Sequence, residues 1–552
     1  MKRPTLTPVV SLLALLISIG AHAQPADLVI ENARIWSDGR DDLAPFAAIR
    51  DGRFVHVGRR DDSLIGPDTT ILDAAGRVVI PGLIDSHVHL LSGGASLSAI
   101  QLRDATSKQD FIRRVADWAD TLQPGQWILG GRYSTESWAS REQPTKDWLD
   151  LVTGDHPAWL SRMDGHSGLA NSIALALAGI TREGPTDPEG GVIDRDPTTN
   201  EPTGILRESA MGLVTRHIPP TAEQDRAQNL KRAMHHANAN GITAVTELPG
   251  GASLSVYESL ADAGQLTCRL YLYPAARDDA LLSIRRFRAV PHWLQINGIK
   301  SYMDGSLGSR TAYMREPFLN NEPSRPDWRG LLADGVADGT FIANAYAARD
   351  ADLQIIAHAI GDQANHYLIE TLDAVYADAL PDARCRSEHA QHLLPGDIER
   401  FATLGVIASM QPFHKADDGR YAEEYIGEAR CRSSYAYRSL LDAGVVLCFG
   451  SDWPVVTINP FLGIEAAVTG RTLDGKLWQT QENITVEEAL RCYTSTAAYA
   501  MFAENEIGRI APGYRADFVI LNASPFDPDP DFSAMAPVAT YIEGRLVYDG
   551  LR

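Results

Sequence analysis

Cysteine is scarce in this chain: five thiols, at positions 268, 385, 431, 448 and 492, in 552 residues. None has the close pairing of a structural zinc site, and an odd number leaves at least one unpaired within a monomer. Buried free thiols are the reading for most of them. Basic residues are also short, 50 against 71 acidic, for a formal net charge of −21. A surface of that sign repels phosphate backbones, which argues against nucleic acid as a partner. No apolar run reaches the roughly 20 residues of a membrane span, and there is neither a solenoid-type repeat nor a low-complexity tract.

What remains is an ordinary globular composition, 44% hydrophobic and 22% charged, long enough for a large barrel with one or two smaller parts. The first 23 residues read as an export signal. Lys2 and Arg3 start it, "VVSLLALLISI" is its apolar core, and "AHA" before Gln24 fits a small-residue cleavage site. No cysteine lies near that point to carry a lipid. The expected mature protein is soluble, without a membrane anchor, and periplasmic or secreted.

After the signal come short β runs, "DLVIENARIW", "FAAIRDGRFVHVG" and "TILDAAGRVVIPG", divided by Asn and Gly turn chemistry. The far end repeats the style with "ADFVILNA" and "VATYIEGRLVYDG". Neither end alone has the strands to bury a face, so residues 24–80 and 500–552 are expected to form one small β-sandwich domain. Between them, over 81–499, eight apolar strands alternate with helical stretches: "PGLIDSHVH", "GITAVTEL", "CRLYLYPA", "INGIKSYM", "LQIIAHAI", "RCRSEHAQ", "GVIASMQP" and "GVVLCFGSD". That pattern predicts an α/β fold, a (β/α)8 TIM-like barrel with its chemistry at the C-terminal strand ends. The stretch after the first strand, 91–240, is far too long for a βα connection. It is expected to contain an insertion that grows from the catalytic face as a lid.

Chemistry-bearing residues sort onto those strand ends. His87 and His89 finish the first strand, two apart and therefore on one face. Lys300 lies in the fourth strand, His358 and His389 end the fifth and sixth, and Asp452 ends the eighth. Imidazole and carboxylate are common zinc ligands. Lysine as an ammonium cannot coordinate. A neutral lysine amine, however, can take up CO2 as a carbamate whose two oxygens bridge two metals, and burial favours the neutral amine. The alternative for Lys300 is a salt bridge with Asp304 or Glu388.

The motifs "PGLIDSHVH", "GIKSYMDGSLGSRTA", "IIAHAIGDQANH", "SEHAQ" and "FGSDWPV" together resemble the amidohydrolase superfamily. More narrowly the chain is similar to its large-insertion branch, which includes N-substituted formamide deformylases. The resemblance spans nearly the whole mature chain, including "QPTKDWLD" and "DGHSGLANSIALALAGI" in the insertion. It implies two divalent metals, zinc by preference. His87, His89 and Asp452 would hold one, His358 and His389 the other, and carbamylated Lys300 would lie between. It further implies a metal-activated hydroxide attacking a carbonyl, with Asp452 as general acid/base. The expected activity is hydrolysis of a non-peptide C–N bond in a small molecule: an amide, formamide or cyclic amide.

Two further residues are candidates for catalysis. His166, in "MDGHSG", could reach the substrate carbonyl or leaving group, or else caps and packs the lid. Arg310, in "GSLGSRTA", could bind an anionic substrate group, or else makes a structural ion pair. Gln411, His414 and Trp453 follow strands seven and eight and are candidates for the pocket wall, whereas Tyr133 and Trp138 read better as core. "NIT" at 483–485 matches a glycosylation acceptor of a kind that arises often by chance. Two rival functions stay open: ester or lactone hydrolysis on the same site, and an inactive binding or regulatory protein. The complete ligand set weighs against the second. The oligomeric state is open, a homo-oligomer included.

Overall fold

Strands buried along their whole length need cover on both faces, and the apolar runs of this chain form such strands. Leu83–Val88, Ile242–Glu247, Arg269–Leu272, Gln354–Ala359, Arg386–His389, Ile407–Met410 and Leu447–Phe449 are buried at every position. The computed structural model describes residues 24–551 except 40–41, 136–137, 141, 164, 220–221, 251–253, 277–283, 285–286 and 322–324. The export segment lies outside the described residues.

Two parallel sheets carry the strands expected from the sequence. Leu83–Val88, Ile242–Glu247, Arg269–Leu272 and Leu294–Ile296 form one. Gly298–Tyr302, Gln354–Ala359, Arg386–His389, Ile407–Met410 and Leu447–Phe449 form the other. The fourth expected strand is thus preceded by a separate short one, Leu294–Ile296, which joins the first sheet. Asn297 divides the two pieces. The bend brings Gly298 so close to its neighbour that a Cβ there would lie 1.9 Å from the Gln354 carbonyl oxygen, leaving no room for a side chain. At Lys300 the sheets meet again, its amide donating to Pro274 O at 2.9 Å and its carbonyl accepting from Ala276 N at 2.7 Å. At the opposite margin Asp452 N donates to His87 O at 2.7 Å.

Helices separate most of these strands, among them Ser255–Asp262, Thr340–Asp350, Asp362–Tyr376 and Asp397–Leu404. Asp362–Tyr376 is representative: it buries Ala364, Leu368, Leu372 and Val375, an i, i+4 stripe that faces the sheet. After the first strand and its short helix Leu90–Ser96, residues 100–208 contribute a separate six-stranded sheet. Its core stacks Trp138 on Trp148, with ring centroids 6.3 Å apart, and sets Phe111 edge-on to Tyr133. Tyr133 and Trp138 are therefore core residues here, as their size and apolarity suggested.

The chain ends make two further sheets. Four N-terminal strands form one, and Arg34–Ile35, Val78–Pro81, Phe518–Leu521, Pro537–Ile542 and Arg545–Asp549 form the other. Ile30, Ala47, Phe54, Phe518 and Ile520 share one core between them. A buried ion pair ties this region to the parallel strands. Arg269 Nε and Nη2 donate to the two oxygens of Asp517 at 2.7 and 2.9 Å, with both side chains at most 3% exposed. All five cysteines are free and buried. Burial pushes the Cys268, Cys385 and Cys431 thiols up to about 12 each, far from thiolate character at neutral pH. No helix among the described residues is long and apolar enough to cross a membrane.

Candidate metal centre

Asp85 and His87 lie in the strand Leu83–Val88 and His89 directly follows it, at the start of the helix Leu90–Ser96. Asp85 accepts from His87 N at 3.1 Å and from Ser451 N at 2.9 Å, and it also bonds the Ser451 hydroxyl. That ties the first strand to the last and sets Asp452 beside the two histidines. Each histidine has one ring nitrogen already engaged. His87 Nδ1 bonds Glu388, itself held by Arg386 Nε at 2.7 Å, and His89 Nδ1 lies 3.2 Å from Leu248 O. The remaining Nε2 atoms face Asp452 Oδ1 at 3.5 and 3.3 Å. Outer partners of this kind fix the orientation of ligating imidazoles.

His389 and Glu388 are consecutive, and in an extended strand they would face opposite ways. His389 instead takes φ 78°, and Asp452 takes φ 58°. Both are in the left-handed region that side chains enter at a cost and that clusters at functional sites. The turn lets Glu388 reach His87 while His389 faces the same space, with ring centroids 4.8 Å from His87 and 4.4 Å from His358. His358 Nε2 lies 2.9 Å from Gly305 O, so Nδ1 is the ring nitrogen that could meet an ion.

This set fits a cation. His87, His389 and Asp452 offer ligand atoms all within 4.8 Å of one another. Asp452 Oδ1 and His389 Nδ1 are buried without a hydrogen-bond partner among the described residues. A buried carboxylate oxygen surrounded by imidazole nitrogens yet bonded to none is costly unless a positive ion completes it. Burial works against ionisation of Asp452, but His87 and His89 hold its carboxyl well below the usual carboxylate range. Burial, with the nearby Lys300 charge, pushes His358 well below an ordinary imidazole and so keeps it in the metal-binding form.

Lys300 is buried, and burial pushes its amine down to about 8. The alternative salt bridge is not made: Glu388 is taken by Arg386 and His87, and Asp304 accepts the amides of Tyr313, Ile360 and Gly361. Lys300, His87, His89, His358, His389 and Asp452 line one cavity of about 330 Å3, together with Arg132, Arg162 and His166 from the insertion.

His166 reaches the cavity with its ring centroid 6.1 Å from that of His358, and its Nδ1 lies 3.1 Å from Glu208. Arg310 is not brought to the site. Its guanidinium stacks over the Tyr425 ring at 4.4 Å and donates to Asn320 O at 3.1 Å, and these partners hold it away from the cavity. Of the three candidates for the pocket wall, only His414 lines the cavity. Gln411 turns back to Ser409 O, and Trp453 packs against Gly93 and His236. Asn483 accepts from Lys415 Nζ at 3.2 Å, so its side chain already has a structural partner.

Asp85 and Glu388 were not assigned these orienting roles from the sequence. Their signal was present, an acid two before His87 and one beside His389, but the pairing across 301 residues is visible only in three dimensions.

The amidohydrolase family model matches residues 70–548, which is most of the chain. The chain belongs to the amidohydrolase family. Among its relatives are the protein LONG AFTER FAR-RED 3 of Arabidopsis thaliana, 36% identical over 95% of this chain and 92% of that one. The N-substituted formamide deformylase of Arthrobacter pascens is 27% identical over 95% and 99%. A solved structure, an uncharacterized metal-dependent hydrolase from Pyrococcus horikoshii, superposes with a TM-score of 0.73 at 26% identity, covering 91% of this chain and 98% of that one. The amidohydrolase family is a family of metal-dependent hydrolases, and the donor set around Asp452 fits that chemistry.

Proposed function

We propose that this amidohydrolase hydrolyses a non-peptide C–N bond of a small molecule, an amide, formamide or cyclic amide. The observation that carries the reading is Asp452 Oδ1, buried, unpartnered and flanked by Nε2 of His87 and His89. His87, His89 and Asp452 would hold one divalent ion and His358 and His389 a second, with carbamylated Lys300 between them and zinc the preferred metal. Such ions, when bound, acidify water and polarise a carbonyl oxygen. The rest is the work of side chains. Asp452 accepts a proton from the attacking water and returns it to the leaving nitrogen. Glu388 and the Leu248 carbonyl keep His87 and His89 in orientation. His166, on the cavity wall, would contact the substrate carbonyl or leaving group.

The architecture behind this is a closed (β/α)8 barrel over 81–499, supported by the hydrogen bonds at Lys300 and at Asp452 that join the two parallel sheets at both margins. The chain ends, 24–80 and 500–552, form the composite β-domain, and 91–240 carries the lid. Metal analysis of purified protein should find close to two divalent ions per chain, with activity lost on chelation and restored by zinc. Full activity with one tightly bound ion would replace the bridged pair by a mononuclear site. A protein that only binds ligands would hold no stoichiometric metal. Screening amides, N-formyl compounds and acylated amino acids then gives the substrate.

The same reading places the mature enzyme outside the cytoplasm. Its first residue should be Gln24 or lie within a few positions of it, and N-terminal sequencing of the native protein checks this. An intact Met1 on the functional form would end the export proposal.

A further inference from the structure

The two oxygens of Asp452 face different neighbours. Oδ1 looks toward His87 and His89, while Oδ2 lies 4.0 Å from Nε2 of His414. His414 stands in the first turn of helix Pro412–Asp418, directly after strand Ile407–Met410. Its ring lies parallel to that of His389, with centroids 6.1 Å apart. Its Nε2 is sealed from bulk solvent and has no hydrogen-bond partner among the described residues. A buried polar nitrogen left unpaired is costly, and 4.0 Å is too far for a direct bond to Asp452. Both residues line the cavity. A single donor atom set off the line that joins them could lie at about 2.9 Å from each.

We propose that His414 and Asp452 together form the subsite for the substrate nitrogen, and that the substrate is an amide that keeps a hydrogen on that nitrogen. This rests on the C–N hydrolysis reading above and narrows it. Water adds to the carbonyl carbon, and Asp452 takes one of its protons. The C–N bond then breaks with its electron pair on nitrogen, which receives the proton from Asp452. Throughout, that nitrogen donates its N–H to Nε2 of His414, the acceptor atom of a neutral imidazole that carries its own proton on Nδ1. The products are a carboxylic acid and an amine, with every proton accounted for. An ester oxygen has no hydrogen to offer, and an N,N-dialkyl amide offers carbon instead. Either leaves Nε2 unpaired, the kind of mismatch by which polar sites reject close analogues.

The test uses binding, so that it does not depend on turnover. N-methyl methylphosphonamidate and methyl methylphosphonate are tetrahedral mimics that differ by P–NH against P–O. Their affinities for the zinc-loaded full chain would be measured calorimetrically in the unaltered protein, in His414→Leu and in His414→Asn, with metal content determined alongside. The unaltered protein should prefer the P–NH probe by at least about tenfold. His414→Leu should lose the preference with metal content intact, and His414→Asn, whose side-chain oxygen can accept, should keep part of it. Equal affinities in the unaltered protein, or a preference that survives His414→Leu, would overturn the proposal. Loss of metal in His414→Leu would also overturn it, by making His414 a ligand. If neither probe binds any of the proteins, the hydrolase reading itself fails.

Discussion

Asp452→Asn should lower turnover by at least about 10²-fold and as much as about 10⁴-fold, the usual contribution of a positioned general acid/base. Asparagine keeps the shape and one oxygen but cannot carry the proton. The expected loss falls on kcat more than on metal content, because His87, His89, His358 and His389 remain. Measuring metal stoichiometry beside the rate separates the two effects. The left-handed backbone at residue 452 suits the change, since asparagine tolerates φ near 58° about as well as aspartate does. A fall in rate therefore reports chemistry and not misfolding. Near-normal turnover in this variant would remove Asp452 from the proton path.

Lys300→Ala should behave differently. If the lysine carries CO2 as a bridge, its loss should drain metal from the protein and take activity with it. Added short-chain carboxylates should restore part of both by standing in for the carbamate. The position supports that role: Lys300 is 3% exposed, its amine is pushed down to about 8, and it has no ion-pair partner among the described residues. A purely structural lysine would give a less stable protein with unchanged metal and unchanged rate per folded molecule. Metal content and turnover measured together, with and without acetate, distinguish the cases.

The parallel strands were legible because strands buried on both faces must be continuous apolar runs, and eight such runs punctuate the chain. That the candidate residues converge on one cavity was legible for a related reason. Histidine, lysine and aspartate stand out at the ends of apolar strands, and two-residue spacing puts His87 and His89 on one face. Three things were not legible. The break at Asn297 carries a local signal, the Asn-Gly pair at 297–298, but a turn pair inside an apolar run does not say which sheet the residues before it join. The link between Glu388 and His87 depends on His389 leaving the extended conformation, and alternation alone would have sent one of those neighbours outward. Arg310 looked available because its loop follows the Lys300 strand, but a loop residue goes where its partners hold it, and here that is over Tyr425.

The Arg269–Asp517 pair has a consequence for how this molecule comes apart. Arg269 belongs to a strand of the first parallel sheet, and Asp517 lies just before a strand of the terminal region. Replacing either partner would leave the other charge buried and unpaired, at about 3–5 kcal/mol. Val519 and Leu521 of the terminal strands also pack in one apolar core with Leu83 and Ile242 of the parallel strands, so neither part should open much before the other and the two should melt in one endotherm. Ion binding at the strand ends would then raise the melting temperature of terminal strands that never touch the ions, because whatever favours the native state favours all of a cooperative unit at once.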